Sequence, residues 1–297
     1  MSIYLRRSHV DTNRYASPAA ELEITTYDEI VDENPGLCAS MVREIYNHLR
    51  ASEAKKRPCI DYMARVQKLI DIRMRAMLID WLVEVVEVYA FDPEILYLAV
   101  NYIDRYLSGN AMDTERLQLL GIACLMIASK YHEIDSPPVE VYCRITAHTY
   151  SADDIREMES IVLHFLKFEL TIPTARCFLE SFVRVAQAVT EDPLLELESM
   201  SNYLADLSLR DYAMLCYSPS VIAASSIYLA RFILLPSRRP WNSTLQHFTL
   251  YKPLDLSECV KALHTLCCNT RLPAIRDNCV ANKYCPPSIP QEYFHDL

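Results

Sequence analysis

The chain has 297 residues, of which 51% are apolar and 23% are charged, enough apolar residues to build cores for about two domains. Its three glycines, Gly36, Gly109 and Gly121, lie far apart, which excludes the glycine-rich loops of P-loop enzymes, Rossmann dehydrogenases and ordinary kinases. The net charge of −10 makes nucleic acid or an anionic membrane an unsuitable partner for the whole surface, so we expect a protein partner.

The eleven cysteines suggest disulfides or zinc, but their pattern supports neither. The count is odd, no Cys-x-x-Cys pair occurs, and neither Cys267-Cys268 nor the Cys279 to Cys285 spacing matches a zinc motif. The N-terminal residues lack the apolar core of a secretory signal, and the longest apolar stretch, 221–235, is too short to cross a bilayer. We therefore expect buried free thiols in a reducing compartment, no bound metal and no membrane partner.

The N-terminal region precedes the periodic part of the chain. Residues 1–40 are predicted to be a mobile tail, because 1–26 are polar and lack aliphatic periodicity. A short helix is predicted over 41–49, followed by a charged connector at 52–58. The basic triplet of this connector, Lys55-Lys56-Arg57, fits either a solvated linker or a nuclear-import signal.

From Ile70 onward, apolar residues recur at the three- and four-residue spacing of amphipathic helices. Asp92-Pro93 is typical of a helix start, Ser108-Gly109 of a helix end, and Ser151 with Asp154 of a capping box. Five helices are predicted, over 74–89, from 93 to about 108, over 115–132, briefly after Pro137-Pro138, and from Ser151 to about Leu166. The third is apolar nearly all round, so we expect it at the centre of its domain.

The same pattern repeats about 100 residues later. Leu78, Leu82, Val85, Ile122 and Ala123 correspond to Phe178, Phe182, Val185, Ile222 and Ala223. Ser218-Pro219 opens the second central helix, and a last helix is predicted over 256–268. A repeat this long indicates two copies of one domain, since solenoid units have about 20–50 residues. The sequence therefore predicts an all-α fold of two tandem five-helix domains, at 41–170 with a preceding N-terminal helix and at 171–297 with a tail.

The usual catalytic motifs do not occur in this sequence. His132-Glu133 begins like a zinc-protease motif, but Ser136 stands where the second histidine is needed. There is no Gly-x-Ser-x-Gly elbow, and no pair of carboxylates is spaced for acid–base work. The sequence therefore predicts a protein that is not an enzyme and that uses no cofactor.

Several charged residues lie on apolar helix faces. Lys130 prolongs the apolar stripe of the third helix, and Glu159 interrupts that of the fifth. Desolvating a lone charge is costly, so each needs a counter-charge or a partner molecule, unless Lys130 snorkels at its helix end and Glu159 is a solvated flank. Arg75 and Asp104, on the first two helices, fit a buried structural ion pair.

The first helix carries an apolar stripe that ends in a carboxylate. Its members are Met74, Met77, Leu78, Trp81 and, one turn beyond, Glu84. Such a stripe fits ordinary core packing. It also fits a docking trough for a short basic-then-apolar peptide, in which the carboxylate binds the cation and the trough binds the aliphatic side chain.

Four segments, in order and at family spacing, resemble the cyclin box of mitotic cyclins. They are Met-Arg-Ala-Met-Leu-Ile-Asp-Trp-Leu-Val-Glu-Val (74–85), Leu-Ala-Val-Asn-Tyr-Ile-Asp-Arg-Tyr-Leu (98–107), Leu-Gln-Leu-Leu-Gly (117–121) and Ala-Ser-Lys-Tyr-His-Glu-Ile (128–134). The resemblance covers about 41–290 and is strongest to A-type cyclins. Leu-Ser-Gly-Asn (107–110) and Leu-Pro-Ala-Ile-Arg (272–276) are similar to plant members.

The resemblance implies a nuclear regulatory subunit, with the cytoplasm as an alternative location, that binds and activates a cyclin-dependent serine/threonine kinase in S phase and G2–M. It implies that Lys130 and Glu159 hold the region of the kinase's regulatory helix, with Tyr131, Glu133 and Ile134 beside them. It also implies that Arg75 and Asp104 brace the box. The implied patch for Arg-x-Leu motifs of substrates and inhibitors consists of Met74, Met77, Leu78, Trp81, Glu84, Leu117 and Gln118.

Two departures and two alternatives accompany this interpretation. His132 stands where the family usually has an acid, and Asp277-Asn278-Cys279 replaces the usual Glu-Lys-Tyr. The alternatives are a cyclin-fold transcription factor, which would need a basic face, and a helical adaptor that docks peptides without activating a kinase.

Overall fold

The computed structural model describes residues 39–188, 195–236 and 238–269. These residues form twelve α-helices and the 3-10 helices Thr114–Arg116 and Tyr212–Cys216. The helices up to residue 170 are α1 (Ala39–Glu53), α2 (Tyr62–Arg65), α3 (Ile72–Val88), α4 (Pro93–Leu107), α5 (Leu117–His132), α6 (Val139–Ile145) and α7 (Ala152–Phe165). They are followed by α8 (Ala175–Ala188), α9 (Leu195–Arg210), α10 (Pro219–Leu234), α11 (Ser243–Thr249) and α12 (Pro253–Asn269).

This order confirms the prediction of two tandem five-helix domains, the first built from α3–α7 and the second from α8–α12. The central helices are those that the apolar pattern indicates, because every residue over 119–129 of α5 and 223–233 of α10 is buried. The predicted starts at Asp92 and Ser151 are also confirmed, since both side chains accept backbone N–H bonds from their helices.

Some predicted details lie outside the described residues or differ from the structure. The predicted mobile tail at 1–40 lies outside them up to residue 38, and its last two residues are not tail because α1 begins at Ala39. The Asp277-Asn278-Cys279 departure and the chain after residue 269 also lie outside them. Gly109 is not a left-handed helix end, because its φ is not positive. A Cβ at Gly109 would instead lie 2.6 Å from Cζ of Phe165, so the residue is small because α7 packs closely there.

The N-terminal helix α1 packs against the second domain, although it precedes the first in the chain. Tyr46 donates a 2.6 Å hydrogen bond to the carbonyl of Thr249. Glu53 accepts bonds from the backbone N–H and the hydroxyl of Ser220, at 2.9 and 2.8 Å, and so caps the start of α10 from a distant part of the chain. The helix is therefore longer than the predicted 41–49 because its C-terminal turn has a partner in the second domain.

The charged connector is not simply a solvated linker, so that interpretation is wrong for two of its three cations. Lys56 pairs with Glu169 at 3.5 Å. Arg57 donates from Nη2 to the carbonyls of Leu215 and Tyr217, at 2.5 and 2.8 Å. These carbonyls lie at the end of a 3-10 helix and need donors, which the arginine supplies from the first half of the chain.

Arg75 and Asp104 form a bidentate ion pair between α3 and α4. Nε and Nη2 of Arg75 each donate to a different carboxylate oxygen at 2.7 Å, and both side chains are 1% exposed. Tyr62 donates a third bond to Asp104 at 2.8 Å. Burial lowers the pKa of Arg75, but the charge and hydrogen bonds of Asp104 outweigh it, so the pKa lies above its ordinary value.

The same arginine also joins the two domains. Its Nη1 donates to the carbonyls of Leu209 and Arg210 at 3.0 and 3.2 Å, at the C-terminal end of α9. A cation at this end of a helix interacts favourably with the helix dipole and satisfies carbonyls that have no partner within the helix. In turn, Arg210 pairs with Asp80 of α3. The domain interface is therefore held by charged groups as well as by apolar packing.

Two partly buried carboxylates lie at this interface, and the sequence analysis did not identify either. Glu94 accepts the hydroxyl of Thr174 at 2.7 Å, and Asp206 accepts that of Tyr97 at 2.6 Å. Burial raises the pKa of Glu94 to about 7, although the Thr174 hydrogen bond opposes it. Burial likewise raises the pKa of Asp206 to about 6.

Removing one partner of the Arg75–Asp104 pair should destabilise the protein strongly. Asp104→Asn leaves the guanidinium buried without its counter-charge, which typically costs about 3–5 kcal/mol of unfolding free energy. The measurement is urea denaturation followed by circular dichroism. Asp153→Asn is the matched control, because its pair with Arg156 is solvent-exposed and should contribute little. If both variants lost the same small amount of unfolding free energy, the Arg75–Asp104 pair would not brace the domain.

Stability should depend on pH through Glu94. Its folded pKa lies above the unfolded value, so the folded state holds a proton that the unfolded state releases between pH 4.5 and about 7. The contribution of this group to stability therefore falls as pH rises through that window. Glu94→Gln, which stays neutral, should flatten the decline in melting temperature from pH 5 to pH 7.5, with Asp206 supplying the remaining slope. The exposed control Glu157→Gln should keep the wild-type slope, and an unchanged slope in Glu94→Gln would refute the assignment.

Candidate functional site

Lys130 and Glu159 form an ion pair across the surface between α5 and α7. Nζ of Lys130 donates to Oε1 of Glu159 at 2.6 Å, although the residues are 29 positions apart. The lysine side chain is 48% exposed and the glutamate 15%. The two charges found on apolar stripes are thus each other's counter-charge, and they remain within reach of an incoming molecule. Neither is an independent solvated flank.

Apolar and aromatic side chains continue this surface beyond the end of α5. The Tyr131 ring is partly exposed, and its hydroxyl lies 2.7 Å from Oγ1 of Thr171, which ties the end of α5 to the connector between the domains. Ile134, in the loop after α5, is fully exposed. An isoleucine held wholly in water stabilises nothing in the free chain, so this residue is available to a partner.

Glu133 is held by contacts within its own domain. Its Oε2 accepts the hydroxyl of Ser129 at 2.7 Å, and Ser129 also lies 3.1 Å from the Ser136 hydroxyl. These bonds fix the loop that presents Ile134. His132 occupies the position at which the sequence analysis expects an acid. Its Nε2 lies 3.3 Å from Oδ1 of Asp92, so it connects this loop to the start of α4.

Phe168, three residues before Thr171 in the chain, is an exposed aromatic residue that the sequence analysis did not identify. It follows α7, is 62% exposed, and has a left-handed backbone with φ of 55°. Its N–H bonds the carbonyl of Leu163 at 3.0 Å, and the N–H of Lys167 bonds that of His164 at 3.1 Å, which is a Schellman-type helix end. The usual signal for such an end is glycine, and its absence concealed the turn.

The stripe of α3 is part core and part surface. Leu78 and, on α5, Leu117 are buried, whereas Met77 is 61% exposed and Glu84 is exposed. Met74, Trp81 and Gln118 are partly buried between them. Core packing therefore accounts for the two leucines but not for the whole stripe.

The predicted docking trough would lie over the crossing of α3 and α5. A Cβ placed on Gly121 would lie 2.7 Å from Cδ1 of Leu78, so the glycine allows the two helices to approach closely. Leu117 and Gln118 precede Gly121 by one helical turn and therefore border the same crossing. Among the described residues, no cation lies within ion-pair distance of Glu84. A partly exposed apolar stripe that ends in a carboxylate without an ion-pair partner is suited to a ligand that carries a cation next to an aliphatic group.

In the described part of the chain, no three His, Cys, Asp or Glu side chains cluster as metal ligands do. None of its helices combines the length and apolarity needed to span a bilayer. The cysteines in the same ranges are free thiols, among them the buried Cys124, Cys143 and Cys259.

Gly121→Ala should destabilise the protein, against the usual trend. In an unconstrained helix, alanine in place of glycine stabilises by about 1 kcal/mol. Here the new methyl group would force buried Leu78 to move, and overpacking of this kind typically costs about 1–3 kcal/mol. The test is thermal denaturation in the wild-type and in the Leu78→Ala backgrounds. The substitution should be neutral or stabilising in the second background; a loss of the same size in both would contradict the steric explanation.

Comparison with known proteins agrees with this architecture. The family model of the cyclin N-terminal domain matches residues 44–171, and that of the cyclin C-terminal domain matches 173–291. A solved structure of a viral cyclin from herpesvirus saimiri superimposes with a TM-score of 0.65, covering 80% of this chain and 99% of the viral one. Its sequence identity is only 20%, so this likeness shows the fold alone.

Several plant cyclins are similar to this chain in sequence. Cyclin-A1-1 of Arabidopsis thaliana is 56% identical over 279 residues, which is 90% of this chain and 61% of that protein. Cyclin-A1-4 of Oryza sativa subsp. japonica is 53% identical over 284 residues, which is 91% of this chain and 80% of that protein. The chain thus spans about three fifths of the length of the Arabidopsis relative. Both domain matches and these identities together show that the chain belongs to the cyclin family.

Proposed function

We propose that this chain is a regulatory subunit that binds a cyclin-dependent serine/threonine kinase and activates it. The observation that carries the proposal is the Lys130–Glu159 pair, accessible to a partner and bordered by the exposed side chains of Tyr131 and Ile134. Such a surface combines apolar area for affinity with two opposite charges that fix the orientation of a partner. The chain itself performs no chemistry in this proposal.

Activation would operate through the kinase's conformational equilibrium. A protein kinase is active only when the glutamate of its regulatory helix pairs with the lysine of a neighbouring strand, and the position of that helix controls the pairing. A subunit that binds only the active arrangement increases the population of that arrangement. Moving the equilibrium from 1:99 to 99:1 takes a difference in binding free energy of about 5.5 kcal/mol.

Apolar area rather than charge would supply most of this difference. Surface ion pairs contribute about 0–1 kcal/mol each, so a few of them would not suffice. Signalling assemblies of this kind bury on the order of 2,000 Å² or more, enough to exceed the cost of association. Ile134, Tyr131 and Phe168 would supply exposed apolar area. Lys130 and Glu159 would set the register of the kinase. Glu133 would hold the loop that carries Ile134.

A second surface would select substrates. The trough of α3 and α5 would bind Arg-x-Leu motifs, with the leucine over Met77 and Trp81 and the arginine against Glu84. The unpaired carboxylate supports this proposal, because an exposed guanidinium can form a bidentate pair with it. The substrates and inhibitors recognised this way would be those of S phase and G2–M, and we propose the nucleus as the site of action.

Truncating either charge of the pair should weaken kinase binding. Lys130→Ala or Glu159→Ala leaves the opposite charge unpaired in the interface, which typically costs about 2–5 kcal/mol of binding free energy. The measurement is the dissociation constant for a purified cyclin-dependent kinase, obtained by calorimetry. Lys261→Ala is the matched control, since it removes an exposed pair with Glu258 on α12. Dissociation constants equal to that of this control would mean that the pair is an ordinary surface salt bridge.

An activity assay separates activation from an adaptor role. The chain is added to a cyclin-dependent kinase, and phosphorylation of a generic Ser-Pro peptide is followed over time. A gain over the kinase alone supports the proposal, whereas binding without gain favours an adaptor. A steeply salt-dependent affinity for duplex DNA would instead favour a transcription factor.

A further inference from the structure

The exposed face of α3 continues past Glu84 with an apolar residue. Val88 lies one helical turn after Glu84 and is 77% exposed. Tyr89 follows it, and its ring stacks against Phe91, with 6.4 Å between ring centroids. A β-branched apolar side chain in water at a helix end gains nothing from packing or from helix propensity, so its position next to the trough is informative.

The acidic neighbour of Val88, Glu87, lies about 100° from it around the helix axis. Its charge contributes to raising the pKa of Asp206 on α9. Val85 and Val86 are buried. Along the open face of α3, the order from the trough outward is therefore Met77, Trp81, Glu84 and Val88: aliphatic, aromatic, acidic and aliphatic.

We propose that Val88 forms an additional subsite for the docking peptide and selects an apolar residue two positions before its arginine. The inference rests on the proposed Arg-x-Leu docking. With the leucine over the trough and the arginine at Glu84, earlier residues of the peptide continue toward Val88. From Glu84 to Val88 the helix rises about 6 Å. An extended peptide covers this distance in two residues of about 3.3 Å each.

The chemistry of the subsite follows from its occupant. An aliphatic side chain of the peptide that contacts Val88 would remove apolar surface of both residues from water, which favours binding. A lysine at the same position would contact a valine, which offers its cation no partner. The preferred substrate would therefore read apolar-x-Arg-x-Leu. Val88 touches only the docked peptide, so it affects the choice of substrate and not the activation of the kinase.

The test uses two fluorescein-labelled peptides that share an Arg-Ala-Leu core and carry either leucine or lysine two positions before the arginine. Fluorescence anisotropy with the full chain gives both dissociation constants. The leucine peptide should bind roughly fivefold tighter, as expected for half-burying a leucine side chain. Val88→Glu should reverse the preference toward lysine, and because Val88 is exposed the variant should fold normally.

Two further variants separate the subsite from the patch on which it depends. Leu254→Glu places the same charge at an exposed leucine of α12 and should leave both affinities unchanged. Trp81→Ala should weaken both peptides together. Suppose that Trp81→Ala weakens both peptides, but that the wild type and Val88→Glu each bind the leucine and the lysine peptide with the same affinity. The subsite is then refuted and the docking patch stands. If Trp81→Ala has no effect, the proposed docking itself fails.

Discussion

The buried pair of Arg75 and Asp104 is the constraint on which the rest of the molecule depends. It fixes α3 against α4 inside the first domain, and through the carbonyls of Leu209 and Arg210 it fixes both helices to the second. A charge at this depth is tolerated because Asp104 supplies the counter-charge and Nε, Nη1 and Nη2 of Arg75 all donate hydrogen bonds. The α3–α5 trough begins on the same helix as Arg75, so the geometry of that surface follows from the pair.

The two candidate surfaces lie on different pairs of helices, and this separation has a functional consequence. The trough lies between α3 and α5, whereas the charged pair joins α5 to α7. Both use the buried helix α5 as their support, so neither needs a loop to order itself before binding. Preorganised surfaces lose less conformational entropy on association, which leaves more of the binding energy to act on the partner. In the proposed function, one preformed chain would therefore bind a kinase on one surface and a substrate on the other.

Much of the fold could be predicted because its information is local. Apolar spacing predicted the helices, and the nearly continuous apolar run of 117–128 indicated which helix is central. The anomalous charges could also be recognised, since Lys130 prolongs one apolar stripe and Glu159 interrupts another. Their pairing across 29 residues could not be derived from spacing, because it depends on how α7 lies against α5. Three other contacts could not be derived from spacing for the same reason, because each joins distant segments of the chain. They are the bonds from Glu53 to α10, from Arg57 to the second domain and from Glu94 to Thr174.

The central claim is that a preformed helical surface selects the active conformation of a kinase rather than merely holding it. Hydrogen–deuterium exchange of the kinase's regulatory helix, with and without this chain at saturating concentration, tests the claim most directly. The account predicts strong protection of that helix in the complex, lost together with affinity when Lys130 is replaced by alanine. Exchange of the helix that stays as fast in the saturated complex as in the free kinase would contradict it.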